Sequence, residues 1–269
     1  MHSDNRKGAA RAINDLRDHG VGVLLREWRS TRRLSQLALA LQADISARHV
    51  SQIENGKAQA SRDMVARLAD ALGLPLRERN ALLIAAGFAP EYSTLALSTQ
   101  EMAPVRRAIA LTLTHQEPYP AFVLNRRWDI VQANAAAGRI AEFLGVGVVH
   151  PNMVRQFFDP NSMRQFVVNW EEIAGDLIRH VHLEPAARDL LDEALSYPGV
   201  PKRWARRDSA VAPSPLLTVH LRKGDQSLRF FSTIARFGTP HDVTLDELCI
   251  ECTFPADDTT ADICRQCAL

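Results

Sequence analysis

With 269 residues the chain has room for two domains of ordinary size, and 46% apolar with 23% charged residues is a globular composition, not a fibrous or disordered one. No run approaches the ~18 uncharged apolar residues of a membrane span, and the opening MHSDNRKGAARAINDLRDHG lacks the apolar core of a secretory signal, so the expected location is cytoplasmic, with no membrane partner. The net charge of +1 hides an asymmetry: residues 1–93 hold 14 Lys and Arg against 10 Asp and Glu, while 94–269 hold 18 against 21, so only the front part leans towards phosphate.

Residues 1–20 are polar and expected to form a flexible segment. From 21 to 87 the pattern is helical. Val21, Leu24, Leu25 and Trp28 make one apolar stripe. Ser35, Ser46 and Ser61 each sit where an N-cap opens a further helix, and the one after Ser61 stops at Gly73 and Pro75. ERNALLIAAG supplies a fifth helix, ending at Gly87. Residues 88–104 read as a linker. Beyond it, AFVLN (121–125) and WDIVQA (128–133) predict a hairpin, and 135–144 a helix. Residues 161–184 read as one long helical stretch, and 187–195 as another helix. LLTVHLR (216–222), SLRFFSTIARF (227–237) and ELCIECTF (247–254) read as strands. The fold class is therefore multidomain: an all-α five-helix domain at 21–87, then an α+β domain with an antiparallel sheet at 105–258 and a C-terminal tail at 259–269.

The segment LSQLALALQADISARHVSQIENGK (34–57) carries the most chemistry. Two short helices meet at a tight turn around Asp44–Ile45. Ala40 and Ala43 are small where the helices cross, and Val50 and Ile53 point inward at i, i+3. Left outward are Ala47, Arg48, His49, Ser51, Gln52 and Asn55, a short polar face able to meet base edges and phosphates. Leu34-Ser35-Gln36, Ala40, Ala43, Ile45-Ser46, Val50-Ser51, Ile53-Glu54 and Gly56-Lys57 together resemble the lambda-repressor-like (Cro/C1-type, XRE) helix-turn-helix family over about 21–86. The resemblance implies double-stranded DNA as partner, with Gln36 on a backbone phosphate and bracing the recognition helix. Ser46, Ala47, Arg48, His49, Ser51, Gln52, Asn55 and Lys57 complete the candidate DNA-binding set. Arg48 suits either a guanine or a phosphate. Two departures stand out. Asp44 occupies a turn position where the family usually has glycine, and aspartate tolerates a left-handed backbone better than most residues. Leu37 and Leu41 stand at i, i+4 on a usually charged face, either as a contact for the rear domain or a second protomer, or as extra packing within the five-helix domain.

In the rear domain, EPYPAFVLNRRWDIVQANAAA (117–137), FDPNSM, NWEEIAGDL, KRWARRD and FGTPHDVTLDELCIECTFPAD occur in the order found in the MmyB-like ligand-binding domain, a resemblance over about 104–258. It implies a PAS-like fold and a small apolar ligand, a fatty acid or similar lipid, with no required cofactor. On physical grounds the candidate ligand-binding residues are Phe122, Trp128, Ile130, Trp170 and Phe231, aromatic or branched side chains on sheet and helix faces. Lys202, Arg203, Trp204, Arg206, Arg207 and Asp208 form a basic patch that would either hold a carboxylate headgroup or act as a structural turn.

Cys249-x-x-Cys252 and Cys264-x-x-Cys267 have zinc-site spacing. In a strand, however, residues i and i+3 face opposite ways, so the first pair is not expected to share a metal. No catalytic constellation is present: there is no phosphate-cradling glycine loop, no H-E-x-x-H and no G-x-S-x-G. His180 and His182 lie two apart on a helix and diverge, and Glu171 and Glu172 are adjacent. The expectation is a non-enzymatic, ligand-responsive DNA-binding regulator acting as a homodimer on two half-sites. Its rivals are a regulator whose rear domain only dimerises or recruits a protein, and a thiol or metal sensor working through the four cysteines.

Overall fold

The structure, a computed structural model, describes residues 20–184, 187–206 and 216–269; the expected flexible start, save Gly20, and Arg207 and Asp208 of the basic patch lie outside the described residues. The chain divides into two compact units. One comprises residues up to Ala96 together with Thr239–Asp246, the other Leu97–Gly238 with Glu247–Leu269.

The first unit is helical: α1 (20–31), α2 (Gln36–Gln42), α3 (Ala47–Glu54), α4 (Arg62–Ala71) and α5 (Leu76–Ala85). The hydroxyls of Ser35, Ser46 and Ser61 accept from the amides of Ala38, His49 and Met64, satisfying donors that each helix start would otherwise leave open. Beyond the Ala43 C-cap of α2, Asp44 takes φ +52°. The Ile45 amide then reaches back to the Ala40 carbonyl at 2.9 Å, a Schellman closure that sets the tight turn before α3. Leu25, Leu39, Val50, Ile53, Val65, Leu68 and Leu82 fill the core. Burying each such side chain stabilises by about 1.5–3 kcal/mol, more than these short helices gain from propensity alone. Leu37 and Leu41 contribute nothing to that core, being 60% and 74% exposed, so their reading as extra packing within the helical domain is corrected.

Residues 239–246 belong to this unit although they lie far along the chain. Asp242, itself buried, accepts from the Ser93 hydroxyl at 2.7 Å and the Leu95 amide at 2.9 Å, and the Val243 amide donates to the Ser93 carbonyl at 2.8 Å.

The second unit is built on a five-stranded antiparallel sheet of order β2-β1-β5-β4-β3, formed by β1 (Ala121–Leu124), β2 (Ile130–Ala133), β3 (Thr218–Lys223), β4 (Gln226–Arg236) and β5 (Cys249–Pro255). Between β2 and β3 run α7 (Ala135–Leu144), α8 (Met153–Phe158), α9 (Trp170–His182) and α10 (Arg188–Ser196), giving the α+β, PAS-like arrangement expected. One sheet face packs Ala121, Val123, Ile250 and Cys252 against α6 (Ala103–His115). The other turns Phe122, Leu221, Phe230 and Glu251 towards the inserted helices. α11 (Val243–Glu247) precedes β5.

Three expectations need correction. The presumed linker is followed by α6, whose Ile109 and Leu113 are buried at helical spacing behind Pro104 in the first turn. The stretch 161–184 is not one helix. A 3₁₀ turn at Met163–Phe166 and an extended link precede α9, because Asn169 is drawn onto β3, donating to the Thr218 carbonyl and accepting from the His220 amide. The stretch 259–269, read as a tail, lies mostly in α12 (Asp258–Cys267), which Asp257 caps and which buries Ile263 and Cys264 in the main core.

Candidate functional site

Within the helical unit α3 presents its polar side. Ser46, Arg48, Asn55 and Lys57 are exposed, and Ala47, His49, Ser51 and Gln52 half-buried, while Val50 and Ile53 are buried beneath them. The structure therefore brings the candidate face together on one helix and its flanks. Asn55 is partly occupied: its Nδ2 donates to the Ser51 carbonyl at 2.8 Å, and its Oδ1 accepts from Arg26 at 2.8 Å.

Behind that face lies a residue whose role the sequence did not disclose. Glu54 is only 4% exposed. Arg29 grips it through both carboxylate oxygens, at 2.6 and 3.0 Å, and Gln36 Nε2 donates to Oε2 at 2.8 Å. Arg26 adds a bond to the Glu54 carbonyl at 2.9 Å. One carboxylate thus ties α1, α2 and α3 together. Burial alone would raise its pKa, but the bonds from Arg29 and Gln36 outweigh that and hold it below the ordinary carboxylate value. The pairing also neutralises a negative charge that would otherwise sit behind the polar side of α3. Gln36 is therefore a brace for α3 through Glu54. Ile53-Glu54 was visible as a motif position, yet the Arg29 partner is 25 residues away, beyond any local pattern.

Gly22 completes the junction. A Cβ there would lie 2.4 Å from the Ile53 carbonyl oxygen and 2.9 Å from that of Glu54, so α1 can approach the end of α3 only without a side chain.

The second unit holds a cavity of about 730 Å³ between the sheet and α7–α8, within the ~300–1,000 Å³ range of ligand sites. Phe122, Ile130 and Phe231 line it, as do Ile140, Phe157 and Phe230. Trp128 and Trp170 do not, contrary to expectation. Trp128 adopts φ +63° at the hairpin and packs edge-on to His180 at 5.9 Å. Trp170 is turned into the helical layer, its Nε1 donating to the Phe157 carbonyl at 2.6 Å beneath the Arg164 guanidinium. Aromatic type alone does not say which side of an element faces a hollow. The polar lining comprises Glu142, His150, Gln156, Ser232, Glu251 and Thr253, with no Lys or Arg among the described lining residues. A more open cleft of about 500 Å³ beside α12, lined by Asp225, Arg229, Asp257 and Asp262, offers mixed polar walls instead.

Trp204 is fully buried in a 3₁₀ turn (Lys202–Ala205), and its carbonyl is 2.8 Å from His182 Nε2. The described part of the basic patch does not line the cavity. Cys249 packs with Leu124 and Met153 on one face of β5, and Cys252 with Ala121 and Val123 on the other, so strand geometry keeps these thiols apart. Burial raises the Cys249 and Cys252 thiols and pushes Cys264 up to about 11, which lowers their thiolate fraction near neutral pH.

Comparison with known proteins bears on both units. The family described as MmyB-like transcription regulator ligand binding domain matches residues 105–266, and a helix-turn-helix domain family matches residues 21–82. No curated protein matches the chain. Among solved structures, an RNA-binding light-oxygen-voltage receptor is similar at 15% identity, with a TM-score of 0.23, over 98% of this chain and 66% of that one, a likeness too loose to carry any argument about fold.

Proposed function

The chain belongs to the family of regulators carrying the MmyB-like transcription regulator ligand binding domain, joined here to a helix-turn-helix, and from that premise we propose that it is a DNA-binding transcription regulator whose operator affinity is set by a small apolar ligand, a fatty acid or similar long-chain lipid, in the cavity beside α7 and α8. The observation that carries this reading is the exposed polar side of α3, held by the buried Glu54–Arg29 pair. Ser46 also caps α3 and Asn55 also bonds Arg26, but the groups on this side suit base edges and phosphates in a major groove. Arg48 and Gln52 read bases, Lys57 and Gln36 meet phosphates, and Ser46 at the start of α3 presents amides to a backbone phosphate. The regulator works as a homodimer on half-sites about one helical turn apart.

A ligand acts only through different affinities for two states. Residues 239–246 join β4 to β5, both of which contribute to the cavity wall, and they fold with the helical unit. A shift of those strands on ligand entry is therefore passed along the chain itself. Selection of binding sites from a random duplex library with the full-length protein, followed by competition with and without bound lipid, tests the reading. A recovered palindromic site whose affinity changes with lipid supports it; recovery of no preferred sequence sinks it.

A further inference from the structure

The cavity wall is largely apolar, and of its two carboxyls, Glu142 and Glu251, the second stands on the sheet with no Lys or Arg among the described lining residues. Glu251 lies in the middle of β5, between Phe122 of β1 and Ile234 of β4. The alternation of the strand sends Ile250 and Cys252 to the α6 side and leaves Glu251 on the cavity side. It is half-buried and lines the cavity. The Ser232 hydroxyl, on the neighbouring strand, is hydrogen-bonded to it. Thr253, the next cavity-side residue, spends its hydroxyl on the Pro120 carbonyl at 2.7 Å.

The charged groups around this carboxyl are already engaged. Asp176 and His180 face it from α9, and there Asp176 is paired with both Arg179 and His180. Across the cavity, His150 Nε2 is held by Asp159 at 2.8 Å. A ligand carboxylate would enter a largely apolar space in which no Lys or Arg among the described lining residues compensates it and a second carboxyl stands near, a costly arrangement. Burial pushes the Glu251 carboxyl up, towards its un-ionised form, which can both donate and accept a hydrogen bond.

We infer that Glu251 is the polar anchor of the cavity and selects, among long-chain amphiphiles, those ending in an uncharged hydrogen-bonding group such as a hydroxyl over those ending in a carboxylate. The inference rests on the reading above that the cavity takes a long-chain lipid, and at the headgroup it sets an uncharged amphiphile in place of the fatty acid: the aliphatic chain occupies the Phe122, Ile140 and Phe230 side, and the hydroxyl exchanges donor and acceptor with the Glu251 carboxyl.

Titration calorimetry of the full chain with decan-1-ol, decanoate and decylamine near neutral pH tests it, on the wild type and on Glu251→Gln, Glu251→Leu and the cavity-filling Ala141→Phe. Decan-1-ol is expected to bind roughly tenfold or more tighter than decanoate, the scale of one well-made hydrogen bond against an unpaired charge. Glu251→Gln, which keeps a donor and an acceptor in similar shape, retains most of that affinity, while Glu251→Leu loses roughly tenfold. The wild-type ratio needs no variant to fold. Decanoate binding as tightly as the alcohol overturns the inference, as does an unaffected Glu251→Leu. Decylamine binding tightest, with loss in both Glu251 variants, also overturns it, since the anchor would then be an ionised partner of an ammonium. If none of the probes binds, or Ala141→Phe leaves their binding unchanged, the ligand-binding reading falls and the inference with it.

Discussion

The backbone amide of Leu76, first residue of α5, donates to the carboxylate of Asp246 at 2.9 Å, across 170 positions of sequence. Pro75 stands at the N-cap of α5 and has no side chain able to cap it, so an aspartate from the segment before β5 takes the part that serines play for α2, α3 and α4. Asp246→Ala is expected to cost about 1 kcal/mol and to speed hydrogen exchange at the Leu76 amide, with Asp246→Asn largely restoring both. Unchanged exchange at that amide would show the cap to be immaterial.

The Glu54 cluster predicts both a stability loss and its pH dependence. Arg29→Ala removes the main partner of a buried carboxylate and is expected to destabilise the helical unit by roughly 3 kcal/mol, the low end for a broken buried pair because Gln36 and Arg26 remain. Since the folded Glu54 pKa lies below its ordinary value of 4.5, its contribution is fully present above that value and is lost as pH falls through the lowered one. Denaturant melts from neutral to acid pH should therefore steepen below about pH 4.5 in the wild type and flatten in Glu54→Gln. Equal slopes in the two proteins would refute the assignment.

Gly22→Ala forces a methyl to within 2.4 Å of the Ile53 carbonyl oxygen. Backbone cannot yield as a flexible side chain does, so α1 must withdraw from α3 at a cost of about 1–3 kcal/mol. Elsewhere in a helix the same change stabilises by ~0.5–1 kcal/mol. The sign of the shift in unfolding midpoint is the readout: a higher midpoint contradicts the close approach.

On DNA, Arg48→Ala and Gln52→Ala are each expected to weaken operator binding by about 1–3 kcal/mol and to relax preference at one base position if they read bases. Lys57→Ala should weaken operator and random duplex alike and lower the salt dependence of binding. Anisotropy titrations on both duplexes at several salt concentrations separate the cases. An equal loss on both for Arg48 or Gln52 moves that residue to the phosphate set.

Much of the helical unit was legible because its determinants are local. Ser35, Ser46 and Ser61 cap helices whose apolar spacing lies within one or two turns, and Asp44 marks the turn by its own backbone tolerance. The strands of the second unit could be read for a similar reason, from short apolar runs between turn residues. Elements that lean on partners far along the chain were missed or misjoined. α12 looks like a polar tail until the core that receives Ile263 and Cys264 is assembled, and α9 begins late because Asn169 bonds to β3 some fifty residues on.

From residue order alone follow the two-part architecture, the polar side of α3 and the strand that separates Cys249 from Cys252, since helix and strand periods act over a few residues. Tertiary structure alone decided that Glu54 is a hub and not a surface acid, that Trp128 and Trp170 turn away from the hollow, that Asp246 caps a helix of the other end of the chain, and that Glu251 faces a cavity. Each depends on groups brought together by burial, and the free energy of a buried charge or an unfilled space is set by what the fold places beside it, not by its neighbours in sequence.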